Sequence, residues 1–395
     1  MHFGKRRKHE KSAAKPRPSN RLQRLDPNRR QQTATPSLCR EPDNRPNEIK
    51  PFAPSSPDAL QHSGLLLMPT PVYPDTSTNG KIMTKRKIII DTDPGQDDAV
   101  AILVALGSPD ELDVLGITAV AGNVPLELTQ KNARIVCELA NRPDMRVFAG
   151  CDRPLGRRLV TAEHVHGKTG LDGPSLPDPK MPLQDEHAVD FIIRSLREAA
   201  PKTITLCPLG PLTNIATAFQ KAPDIVPMVQ EIVLMGGAYF EVGNITPTAE
   251  FNIYVDPEAA DIVFKSGAPI VVLPLDVTHK ALVTNDRNDA FRNLNTPAGK
   301  AVADMTDFFE RFDKEKYGSA GAPLHDPCVT AYLLRPQLFS GRHINVMIET
   351  QSELTRGMTV ADWWRVSERP PNATFIGDLD ADGFFQLITE RIGRL

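Results

Sequence analysis

Little in this sequence points toward a membrane, an oxidising compartment or nucleic acid. No apolar run approaches the ~20 residues that span a bilayer. The longest near the start, Leu65-Leu66-Leu67-Met68, is too short for a signal-peptide core. Five cysteines, Cys39, Cys137, Cys151, Cys207 and Cys328, lie far apart and form no CxxC pair. That spacing speaks against a zinc site or a disulfide framework and fits a reducing, cytoplasmic setting. Cys207 and Cys328 read as small buried hydrophobes. Net charge is only −3 over 395 residues.

That charge is unevenly spread. Residues 1–80 hold 14 of the 46 Lys and Arg but 7 of the 49 Asp and Glu, leaving 32 against 42 for the rest. The acidic body gives no reason to expect a nucleic-acid partner. The first 80 residues also hold 12 of the 36 prolines and show no sustained hydrophobic period. We read residues 1–82 as a disordered, basic, Pro-rich extension. Glu10, Asp26, Glu41, Asp43 and Glu48 interrupt its basic clusters, which argues against a transit peptide. Met83 stands just before the first expected strand and would make a natural start.

From Lys85 onward, apolar strands alternate with amphipathic helices. Strands are expected at 87–91, 114–121, 147–149, 203–208, 232–235, 270–275, 344–349 and 374–376. Helices are expected at 98–106, 125–140, 188–199, 212–221 and 257–265. Near-continuous apolar strands separated by helices imply an α/β fold. Its mainly parallel, Rossmann-like sheet would carry helices on both faces. Ligands of such folds bind at the carboxyl ends of the strands. Residues 83–395 are therefore read as one domain.

The strongest chemical signal is Lys87-Ile-Ile-Ile-Asp91-Thr-Asp93-Pro94-Gly95-Gln-Asp97-Asp98. A hydrophobic strand ends in Asp-x-Asp, Pro-Gly breaks it, and two more acids open a helix where the dipole favours carboxylates. A helix cap needs one acid, whereas this stretch places four carboxylates within eight residues. A hard divalent cation with oxygen ligands is their natural partner. The spacing does not fit an EF-hand loop.

This motif resembles the signature of the inosine–uridine-type nucleoside hydrolases, which remove the base from ribonucleosides. Further stretches from Lys85 to the C-terminus support the resemblance in order: Gly122-Asn123, Glu163-His164-Val-His166-Gly, Cys207-Pro208-Leu209-Gly210-Pro211, Met235-Gly-Gly, Gly243-Asn244, Glu250-Phe-Asn252 and His325-Asp326. It implies a Ca2+ site formed by Asp93, Asp98, the Leu209 carbonyl and Asp326. It implies a ribose site of Asp97, Asn123, Met235, Asn244, Glu250 and Asn252. Glu250 and Asn252 share one side if that segment is extended. On the base side it implies His166, on a loop that looks mobile, and Tyr317. Lys168, where relatives often carry Glu, is expected to influence base preference. Asp93 would be the general base toward a water, and His325 the acid for the departing base, with a pKa near working pH. Asp91 would support the cluster from behind. The family's usual assembly is a homodimer or homotetramer.

Two rival functions fit parts of the pattern. A haloacid-dehalogenase-type phosphatase also starts with a strand and Asp-x-Asp, but wants Thr or Val where Gly95 stands. A non-catalytic nucleoside- or calcium-binding protein would share the fold, and the intact acidic motif with His325 argues against it. Purine and pyrimidine substrates are both open at this point.

Overall fold

A computed structural model describes residues 85–317 and 321–395, without the side chains of 312–317. The extension expected at 1–82 lies outside the described residues. The first strands in chain order are β1 (Arg86–Thr92), β2 (Leu112–Ala119), β3 (Val147–Ala149), β4 (Ile204–Pro208), β5 (Val229–Met235) and β6 (Ile270–Leu273). Then come β7 (Leu282–Val283), β8 (Ala322–Pro323), β9 (Phe339–Ile344), β10 (Val346–Ile348), β11 (Thr359–Ala361) and β12 (Ala373–Leu379).

Eight of these form one sheet in the order β3-β2-β1-β4-β5-β6-β12-β9. Every pairing in it is parallel except β12 with the edge strand β9. The sequence dictates this arrangement. Ile88, Ile89 and Ile90 alternate faces on β1, yet all three are buried. A strand apolar on both faces is stable only between two layers of helix. Two cores result: Ile88 and Ile90 face one, and Ile89 the other.

Helix α1 (Gln96–Leu106) follows β1 directly, and all of its residues are buried. It packs under α11 (Pro327–Leu334), where the Thr330 hydroxyl donates to the Ala101 carbonyl at 3.1 Å. Thus the segment carrying His325 and Asp326 is docked on the helix that starts with Asp97 and Asp98.

The structure corrects the expected strand at 344–349. The chain leaves the large sheet after Ile344 and starts β10, which pairs with β11 in a separate ribbon. Asn345 sits at the junction, its amide donating to the Pro370 carbonyl at 2.8 Å. Asn372 then brackets Val346, accepting from its N–H and donating to its carbonyl. Apolar alternation continues across the break, so the pattern alone reads as one strand.

Candidate active site

β1 ends at the carboxyl edge of the sheet, where Asp93-Pro94-Gly95 turns into α1. Gly95 N–H donates to Asp98 Oδ2 at 3.0 Å and so closes the first turn. Thr92 Oγ1 donates to Asp98 Oδ1 at 2.5 Å. Asp326 comes from the other end of the chain, at the N-terminal boundary of α11 and before Pro327. Asp97, Asp98 and Asp326 each place a carboxylate oxygen within 4.8 Å of the other two, and all three are buried.

Asp93 stands against this trio. Its Oδ2 accepts the Asn123 N–H at 2.7 Å, and its Oδ1 is buried with no hydrogen-bond partner. Two glycines make room for it. A Cβ on Gly122 would lie 2.0 Å from Asp93 Oδ2, and one on Gly210 would lie 2.1 Å from Oδ1. The carboxylate is thus wedged between two backbones in a fixed direction.

Such crowding raises proton affinity. Burial, then the charge of Asp98, pushes Asp93 well above the usual carboxylate range. The same two causes push Asp97 up to about 8. Burial raises Asp98, and burial followed by Asp97 raises Asp326 strongly. Without a positive partner these acids hold protons. The orphaned Asp93 oxygen and the converging carboxylates suit a hard cation.

Asp91 ends its side chain against β2 and α5 (Thr213–Lys221). Its Oδ1 accepts from Thr118 Oγ1 at 2.5 Å and from Asn214 Nδ2 at 2.8 Å. Burial still carries it up to about 7.

A cavity of about 380 Å³ opens beside the acids. Asp97, Asn123, Leu209, Asp326 and His325 line it. Met235, Asn244, Glu250, Asn252 and His166 complete the expected set on its wall. Asp93 and Asp98 are buried behind this surface. Tyr317 ends α10 (Pro297–Tyr317), and its side chain lies outside the described residues.

Four details differ from expectation. Glu250 and Asn252 are not on an extended segment. Glu250 caps helix α6 (Phe251–Val255), accepting from the N–H groups of Asn252 and Ile253 and from Gly237 N–H at 2.9 Å. The cap turns Asn252 inward, where its amide donates to the Leu209 carbonyl at 2.6 Å. Asn244 supports the same helix, its Oδ1 accepting from Phe251 N–H at 2.9 Å.

Second, His166 belongs to a helical turn, α3 (Glu163–His166), rather than to a plain loop. Gln96 clamps it: the imidazole Nδ1 is 2.7 Å from Gln96 Oε1, and Gln96 Nε2 donates to the His166 carbonyl at 2.9 Å. Burial pushes this imidazole down to about 3, so it is neutral. Third, Lys168 is exposed and is not part of the cavity wall.

The fourth difference concerns His325. Burial, then nearby His279, depresses its pKa well below the ordinary value. These surroundings favour the neutral imidazole, whereas the resemblance and the ordinary imidazole value imply a pKa near working pH. Thr278, in α8 (Leu275–Thr278), holds its Nδ1 at 2.8 Å.

Sequence reasoning missed Glu241, His279 and Phe309, which also line the cavity. Phe309 lies 5.5 Å from the His166 ring, centroid to centroid. Nothing in its local pattern distinguishes it from a core helix residue. Neither Cys207 nor Cys328 lines the cavity, and burial pushes Cys207 up to about 12 and raises Cys328 as well.

Comparison with known proteins agrees with this geometry. Residues 88–386 match the family described as inosine-uridine preferring nucleoside hydrolase. An uncharacterized protein of Schizosaccharomyces pombe is 52% identical, over 78% of this chain and 99% of its own. The pyrimidine-specific ribonucleoside hydrolase RihA of Shigella boydii is 47% identical, over 77% of this chain and 97% of its own. Among solved structures, a purine-preferring ribonucleoside hydrolase from Gardnerella vaginalis superposes with a TM-score of 0.73 at 38% identity. That match covers 78% of this chain and 98% of the other. A plant nucleoside hydrolase follows with a TM-score of 0.71 at 34% identity, over 78% and 98% of the two chains.

Proposed function

Because the chain belongs to the inosine-uridine preferring nucleoside hydrolase family, it is an enzyme that hydrolyses the N-glycosidic bond of ribonucleosides, and we propose that it does so at the acid-lined cavity with Ca2+ as the metal. The observation that carries this reading is the buried, partnerless Asp93 oxygen beside the Asp97, Asp98 and Asp326 carboxylates. Asp93, Asp98, the Leu209 carbonyl and Asp326 would hold the ion. When bound, calcium supplies positive charge that orients a water and lowers its pKa.

The chain's own residues then divide the work. Asp93 takes the proton from the attacking water, and its fixed wedge between Gly122 and Gly210 keeps the receiving oxygen in place. Cleavage passes through an oxocarbenium-like state, so the sugar must be held while positive charge develops on it. Asp97, Asn123, Glu250 and Asn252 hold the ribose, with Asn244 and Met235 beside it. Glu250 also works indirectly, because its cap on α6 aims Asn252. His325 assists the departing base as a neutral imidazole. If the Thr278 hydroxyl donates to Nδ1, the hydrogen sits on Nε2, ready to be given to the base. His166 stands on the base side, where the family resemblance also implies Tyr317.

The higher identity to the pyrimidine-specific relatives supports pyrimidine ribonucleosides as substrates. Residues 83–395 form the hydrolase domain in this reading, and 1–82 a separate extension. The working form is a cytoplasmic homodimer or homotetramer, which sedimentation of the purified protein would test. No described helix is long and apolar enough to cross a membrane.

The direct test is to incubate purified protein with uridine, cytidine, inosine, adenosine and guanosine in calcium, and to measure free base and ribose. Pyrimidine nucleosides should turn over fastest. A chelator should stop the reaction, and added calcium should restore it. If calcium-bound protein released no base from any of the five, a binding role without catalysis would replace this reading.

A further inference from the structure

Glu241 and His279 are cavity side chains with no task in the mechanism above. Glu241 lies on the segment between β5 and α6, and His279 directly follows α8. Both line the cavity, and His279 Nδ1 lies 3.1 Å from Glu241 Oε2. The His279 ring is 5.8 Å from that of His325, centroid to centroid. The pair therefore stands at the leaving-group end.

Its placement is built into the fold. The Asp276 carboxylate accepts the backbone N–H groups of Tyr239 at 3.0 Å and Phe240 at 2.7 Å, with a longer contact to that of Glu241 at 3.4 Å. These bonds fix the stretch that carries Glu241. Two residues on, Thr278 grips His325. One short turn thus sets the positions of the leaving-group imidazole and of the pair beside it.

The chemistry of the pair follows from its hydrogen bond. A carboxylate accepts and cannot donate. His279 Nδ1 must therefore carry the hydrogen that Glu241 accepts. The remaining lone pairs of Glu241 also accept. Held in place by His279, this carboxylate offers acceptors complementary to N–H groups on the polar edge of a nucleobase.

We propose that the Glu241–His279 pair determines base specificity by accepting hydrogen bonds from N–H groups of the base. This rests on the nucleoside hydrolase reading of the same cavity. For a pyrimidine nucleoside such as uridine, the group read is N3–H. A base with a methyl group in place of that hydrogen leaves the acceptors facing carbon. Sites built to hydrogen-bond a substrate group reject analogues that lack it, because buried acceptors are then left unpaired.

The test compares kcat/KM for uridine and 3-methyluridine with the calcium-loaded full chain. The wild-type enzyme should prefer uridine by about 10-fold or more, the scale of a lost bond to a charged acceptor. Glu241→Gln fills the same space with a weaker acceptor, and it should compress that preference by at least about threefold. Glu241→Ala should bring the two substrates within about threefold of each other. His279→Gln, a second variant made from the other side of the pair, should compress it as well. If Glu241→Gln kept the full wild-type preference, the methyl group would be excluded by bulk alone and the proposal would fail. It also fails if the wild-type enzyme hydrolyses both substrates equally well. An enzyme that hydrolyses neither, yet releases base from a purine nucleoside, overturns the pyrimidine reading of the cavity and this inference with it, and leaves nucleoside hydrolysis standing.

Discussion

Gly210→Ala puts the most direct strain on the proposed catalytic base. The new methyl carbon would sit 2.1 Å from Asp93 Oδ1 and 2.7 Å from its Cγ. Ordinary contact begins near 3.4 Å, so the carboxylate must yield by about 1.3 Å. It has no free direction. On the far side Oδ2 accepts the Asn123 N–H at 2.7 Å, and the Gly122 backbone closes the space. Overpacking of this kind costs about 1–3 kcal/mol of stability. A 1 Å misplacement of a reacting group costs about 100-fold in rate. We therefore expect kcat to fall by about two orders of magnitude in a protein that still folds, with a Tm lowered by several degrees. Steady-state kinetics with uridine at saturating calcium, together with a thermal melt, measure both. Gly156→Ala is the control, because its new methyl meets nothing closer than 3.5 Å and should cost little. A Gly210→Ala enzyme with a normal melt and a kcat within threefold of wild type would refute the role given to the Asp93 wedge.

Other outcomes follow from the same geometry. His325→Ala should lower kcat by about 100-fold or more, the usual share of a group assisting proton transfer. Thr278→Val should lower it by about 5–10-fold by freeing the ring that Thr278 orients. A normal kcat in Thr278→Val would show that His325 is held by other contacts. Asp91 and Asp97 are raised to about 7 and about 8 in the metal-free fold, above their value in an unfolded chain. The metal-free fold gains from their protonation, so this contribution is present at acid pH and is lost as pH rises through those values. Calcium should therefore raise Tm more at pH 8 than at pH 5, and a calcium shift that shrinks with pH would contradict this.

The sequence made the catalytic frame legible because its signals are local. Four acids bracketing a Pro-Gly break mark a strand-to-helix turn with a cation in need of ligands, and the fold has that turn. The parallel sheet was legible in the same way, from strands such as Ile88–Ile90 that are apolar on both faces. What escaped depends on tertiary contact. Glu250 and Asn252 fit a strand pattern as well as a helix start, and only the Gly237 N–H settles the cap. His325 carries an ordinary imidazole whose low proton affinity comes from burial beside His279. The Glu241–His279 hydrogen bond joins positions on separate elements, and no spacing rule connects them. The break at Asn345 likewise depends on Pro370 and Asn372.

The acid cluster also dictates an order of events during synthesis. Asp93, Asp97 and Asp98 emerge early, whereas Asp326 follows β6 and precedes β9 in the chain. The central strand β1 cannot complete its pairing until β4 has been made, more than 100 residues later. Such distant pairing makes folding slow compared with a bundle of local contacts. A metal ion meeting the nascent chain would find only part of the proposed ligand set, and that set closes once α11 docks on α1. An ion held there would act as a clasp fastened last rather than as a template, and its loss should first loosen the segment that carries Asp326 and α11.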